Sequence, residues 1–100
     1  MSLVYKYSFI AAAEEEYINA IRWYKDISKK LAETFIEDFN QTIAQICKHP
    51  EIPTVISKRF RKLNFEIFPY KIVYRIEDGS VVIVAVAHHK RHPRYWKKRK

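Results

Sequence analysis

Hydrophobic and polar positions alternate with two different periods along this chain of 100 residues. Leu3, Tyr5, Tyr7 and Phe9 recur every second residue in aromatic and β-branched surroundings, which predicts a first strand over Leu3–Phe9. The period then lengthens. Ala11-Ala12-Ala13 has high helix propensity, and Glu14, Glu15 and Glu16 suit the positive end of a helix. Ser8 is a candidate cap for its start. Tyr17, Ile21, Tyr24 and Ile27 make one apolar stripe on a helix of about 11–27, with Ala20 beside it. A second helix of about 30–48 carries Ala32, Phe35 or Ile36, Phe39, Ile43 and Ile46, and Ser28 is placed to cap it. So short a break predicts an antiparallel αα-hairpin, and Pro50 and Pro53 end it.

Period two then returns. Ile56–Phe65 reads as a second strand, with Arg59, Arg61, Leu63 and Phe65 on one face and Phe60, Lys62 and Asn64 on the other. Tyr70–Ile76 is a third strand, with Ile72, Tyr74 and Ile76 on one face and Lys71, Val73 and Arg75 opposite. Asp78-Gly79 holds the only glycine and marks a tight hairpin turn. The fourth strand, Val81 to about His89, is apolar on both faces and therefore belongs inside a covered sheet. The prediction is an α+β fold: an N-terminal strand, an αα-hairpin, then a three-strand antiparallel meander packed on the helices. The pattern leaves open where the first strand joins. No repeat, linker or second core is visible, so residues 1–100 are expected to form one domain.

Charge changes the picture. Residues 1–50 carry six Lys/Arg against seven Asp/Glu, and residues 51–100 carry thirteen against four, within a net charge of +8. Segregation of this kind favours a polyanionic partner, either nucleic acid or an acidic protein. The single cysteine, Cys47, precludes an internal disulfide and suits a reducing compartment. With no visible leader and no apolar run long enough to span a bilayer, the expected location is cytoplasmic, without membrane association.

The candidate chemistry follows the fourth strand, in His88-His89-Lys90-Arg91-His92 and Tyr95-Trp96. Neighbouring histidines on a strand point to opposite faces, and no Asp, Glu or Cys stands near in sequence, so neither a metal site nor a cofactor is expected. Two readings remain open: a solvated basic strand end, or an anion site. In the second, Arg59, Arg61, Lys71, Arg75, Lys90, Arg91 and Arg94 contact phosphate, His88 or His89 moves a proton, and Tyr95 and Trp96 stack or donate. Metal-free RNA cleavage asks for a base for the 2′-hydroxyl, cations for the growing phosphate charge, and an acid for the leaving oxygen. The glycine-rich phosphate loop and the common hydrolase motifs are missing.

The order and spacing of several segments resemble the RelE/ParE superfamily of type II toxin–antitoxin toxins, which includes plasmid stabilisation proteins. These segments are Ala20-Ile21-Arg22-Trp23-Tyr24, Ala32-Glu33-Thr34-Phe35, Ile46-Cys47-Lys48-His49-Pro50, Phe68 to Ile76 and Val84 to Trp96. The resemblance implies a helical hairpin against a twisted, mainly antiparallel sheet, and an antitoxin whose acidic segment wraps the toxin. It also implies one of two targets. RelE-like members cut ribosome-bound mRNA without metal, and ParE-like members bind DNA gyrase without catalysis. For the first, the resemblance places Lys71, Arg91, His88 or His89, and Tyr95 in the catalytic set, with Arg59 and Arg61 as supporting cations. Lys71 stands where RelE-like nucleases usually carry Arg. The sequence leans to the endoribonuclease, with gyrase inhibition as the alternative, and leaves self-association through the hairpin open.

Overall fold

The computed structural model describes residues 4–99. In chain order the elements are β1 (Lys6–Phe9), α1 (Ala11–Ile27), α2 (Lys29–Lys48), β2 (Val55–Ser57), β3 (Phe60–Asn64), β4 (Tyr70–Glu77) and β5 (Ser80–His88). The strands form one five-stranded sheet in the order β1-β5-β4-β3-β2. The α+β class is as expected, but the sheet is a mixed one of five strands rather than a three-strand meander. β1 pairs in parallel with β5, from Lys6 opposite Ser80 to Phe9 opposite Ile83. The two helices return the chain to the start of β1, where the Tyr5 N–H donates to the Cys47 carbonyl at 2.9 Å; β2 then runs opposite to β1, and three reversals bring β5 parallel to it.

The predicted second strand is in fact two. Lys58 takes a positive φ of 47°, and the chain turns back there, so Val55 pairs with Arg61 and Ser57 with Phe60. Leu3, the first residue of the predicted N-terminal strand, lies outside the described residues. At the β4–β5 turn Asp78 and Gly79 have φ of 51° and 73°, the pair of positive values that a type I′ turn requires.

Most helix predictions match the packing. The Ser28 hydroxyl accepts from the Leu31 N–H at 3.1 Å and caps α2. Ser8 does not cap α1, whose N-cap is Ile10, with no side-chain bond. Phe35, rather than Ile36, faces the core. Ile27 is 63 % exposed, so the α1 stripe ends at Tyr24. Between helices and sheet lies an aromatic core in which Tyr17 meets Phe39 at 4.2 Å between ring centroids and Tyr24 meets Phe68 at 4.8 Å.

A second apolar cluster lies on the sheet face turned away from the helices, where Phe60, Val73, Val84, Ala85 and Ala87 are covered by Trp96. Trp96 is 1 % exposed and meets Phe60 edge-on at 5.1 Å. The C-terminal segment therefore folds back over the sheet, which buries both faces of β5 as its sequence required.

Candidate functional site

A bulge in β5 decides how the candidate residues are distributed. Val73 pairs with Ala85 while Tyr74 pairs with Ile83, so Val84 is the extra residue. Before it, Val81 and Ile83 face the helices. After it, Val86 faces them, and Val84, Ala85 and Ala87 face away. One inserted residue reverses the alternation. It brings His88 to the helix side, opposite Tyr70, with the rings 5.0 Å apart and edge-on. His89 goes to the other side.

His88 lines a cleft of about 270 Å³ together with Glu16, Asn19, Ala20 and Trp23 of α1, Tyr70, Val86, Arg91 and Tyr95. Burial first, then the neighbouring Lys90 and His89, lowers its pKa below the ordinary imidazole value. Its Nδ1 accepts from the Lys90 N–H at 3.0 Å, so the proton of the neutral ring sits on Nε2. The Arg91 guanidinium lies 3.9 Å from the centre of the Tyr95 ring, and Arg99 lies 4.9 Å from the same ring. Burial, then the Glu16 carboxylate close to its hydroxyl, pushes the Tyr95 phenol far above the usual range. Glu16 accepts from both terminal nitrogens of Arg99, at 2.9 and 3.0 Å, and from the Val86 N–H at 3.0 Å.

Lys71 and His89 occupy a separate depression of about 210 Å³ with Lys62 and Asn64. Asn64 is the cross-strand partner of Lys71. Burial, then Lys62, lowers the Lys71 pKa, and neither lysine has a carboxylate within ion-pair distance among the described residues.

The other predicted cations are scattered. Arg61 is on the helix face, where its guanidinium donates to the Pro53 carbonyl at 2.8 Å, so it does not join Lys71. Arg75 is 8 % exposed and bonded through Nε to Glu77 at 2.7 Å, so it does not present its fork to solvent. Arg59 is exposed at the β2–β3 turn, and Lys90 and Arg94 are exposed around the C-terminal turns. Trp96 is core, so it is not a surface for stacking a base. Thus the structure brings His88, Arg91 and Tyr95 together, brings Lys71 to His89, and separates the two groups across the sheet. Among the described residues, no group of three metal-ligating side chains occurs and no helix is long and apolar enough to cross a membrane.

Sequence reasoning did not single out Glu16, Trp23, Tyr70, Lys62 or Asn64. A signal existed for Lys62 and Asn64, which alternate with Phe60 on one strand face. None existed for Glu16, because its partner Arg99 is distant in sequence and the three adjacent glutamates read as one helix-end feature.

The fold is a small α+β one with two surface depressions, one holding His88, Arg91 and Tyr95 and the other Lys62, Lys71 and His89. A solved structure described as the chromosomal ParDE TA system from P. aeruginosa matches with a TM-score of 0.73 and 13 % identity. The match covers 87 % of this chain and 98 % of that one, and at this identity it shows the fold. No curated protein sequence matches. The family described as "ParE toxin of type II toxin-antitoxin system, parDE" matches residues 7–93, and the chain belongs to that family.

Proposed function

We propose that the protein is the toxin of a type II toxin–antitoxin module, neutralised by a cognate antitoxin, and that it acts by binding DNA gyrase without catalysis of its own. The observation that carries this reading is the division of the predicted catalytic set. Lys71 and His89 lie on one face of the sheet, and His88, Arg91 and Tyr95 lie in the cleft beside α1. General acid–base cleavage needs base, acid and phosphate cations around one phosphorus. The Tyr95 phenol, held protonated far above neutral pH, is also poorly matched to proton transfer. Binding to a protein target makes no such demand, and membership of the ParE family supports it.

A second reading rests on Lys62, Asn64, Lys71 and His89, where two ammonium groups without a carboxylate suit a phosphodiester and would serve a ribosome-dependent endoribonuclease. One experiment separates the two. The purified protein is added to gyrase with supercoiled plasmid and, separately, to a translating extract with a reporter mRNA. Gyrase binding predicts accumulation of cleaved gyrase–DNA complexes with the mRNA intact. Cut mRNA together with unaffected gyrase overturns the proposal in favour of the nuclease.

A further inference from the structure

Among the described residues Lys62 and Lys71 are the only half-buried lysines, and the others are exposed. Lys62 lies on β3 opposite Val73, and Lys71 lies on β4 opposite Ala87. Val73 and Ala87 both belong to the apolar cluster under Trp96. The two lysine stems therefore share the sheet face turned away from the helices, and both line the depression of about 210 Å³ with Asn64 and His89.

Such a pair is unfavourable as long as both amines are charged, and no carboxylate among the described residues stands within ion-pair distance of either. Burial, then Lys62, favours the uncharged form of Lys71, which raises its share of free amine at neutral pH. Desolvation beside a second cation is a general way to make a lysine nucleophilic. The other lining groups suit a small anion. Lys62 supplies charge, Asn64 supplies amide donors, and His89 supplies a ring N–H at the exposed rim. The depression is smaller than the roughly 300–1,000 Å³ of pockets for drug-sized ligands, so it fits a ligand of few heavy atoms.

We propose that the Lys71 amine is a modification site for small acyl phosphates, which Lys62, Asn64 and His89 hold by the phosphate end. The free amine attacks the acyl carbonyl carbon. A C–N bond forms, the bond from that carbon to the phosphate oxygen breaks, and the amine proton leaves with the departing hydrogen phosphate. The step needs no oxidant or reductant. Its product is a neutral amide, so acylation removes one charge from the depression and ends the repulsion within the pair.

The test treats the intact protein with acetyl phosphate near neutral pH and follows each lysine by peptide mass spectrometry. Lys71 should gain acetyl groups about tenfold or more faster than the exposed Lys25, Lys29 and Lys48, the scale of advantage that a cleft of one charge sign gives an oppositely charged substrate. Lys62→Gln removes the second cation and should abolish that preference, with folding checked by circular dichroism. Excess inorganic phosphate should slow acetylation of Lys71 and leave Lys29 unchanged. A smaller preference for Lys71, a preference that survives Lys62→Gln, or indifference to phosphate overturns the proposal. Acetylation is read on the protein alone, so the outcome is independent of the gyrase target.

Discussion

Asp38 gives the sharpest energetic prediction. It sits in α2 at 1 % exposure, and its carboxylate accepts three consecutive backbone N–H groups of the β3–β4 loop: Glu66 at 3.1 Å, Ile67 at 2.9 Å and Phe68 at 2.8 Å. This contact fixes the loop that delivers Phe68 and Tyr70 to the aromatic core and the Pro69 carbonyl to His89. Asp38→Ala removes all three acceptors. Phe68 is buried, so its N–H stays dry, and losing a bond to a charged acceptor there costs about 2–3 kcal/mol. Glu66 and Ile67 are exposed and can rehydrate, at about 0.5–1 kcal/mol each. The sum, about 3–5 kcal/mol, is a large share of the roughly 5–15 kcal/mol that stabilises a domain of this size. Guanidinium chloride unfolding followed by circular dichroism measures it, and amide exchange at Ile67 and Phe68 should accelerate in parallel. Asp38→Asn keeps one acceptor but aims an NH2 group at the remaining donors, so it should recover less than half of the loss. A destabilisation below about 1 kcal/mol for Asp38→Ala refutes the reasoning, because the carboxylate would then not organise the loop.

Glu16→Ala should release the C-terminal segment by removing the Arg99 pair and the Val86 cap, at about 2–4 kcal/mol. Its readout is acrylamide quenching of Trp96, which is buried in the native protein; unchanged quenching argues against the clamp. At alkaline pH the phenols of Tyr17, Tyr70 and Tyr74, pushed up to about 12 by burial, should lag behind the unfolded chain, whose tyrosines lose their protons near 10. The stability these groups contribute is complete below pH 10 and is lost as pH rises toward 12. Denaturant midpoints across that range, with tyrosinate absorbance, check the sign; midpoints that rise contradict it. Gly79→Val forces a β-branched residue into φ of 73° and should cost about 1–2 kcal/mol, although the space around the missing Cβ is open; a neutral midpoint shift would sink the turn assignment.

The helices, the Asp78-Gly79 turn and the two-sided burial of β5 were legible in the sequence, because each depends on local period or on a local backbone requirement. So was the family, through the order of short segments along the chain. The Lys58 turn was not, since a non-glycine residue at positive φ leaves little trace in sequence. The parallel seat of β1 was also not readable, because it depends on the path of the whole hairpin.

The site divides in the same way. Sequence alone placed His88 and His89 on opposite faces and gathered cations in the second half of the chain. Only the tertiary structure decided which histidine meets Arg91 and Tyr95. Val84 bulges out of β5, the alternation reverses at that residue, and His88 turns to α1 while His89 joins Lys71. A bulge is set by how the twisted sheet meets its neighbours, so an apolar run such as Val81 to Ala87 carries no mark of where the extra residue falls.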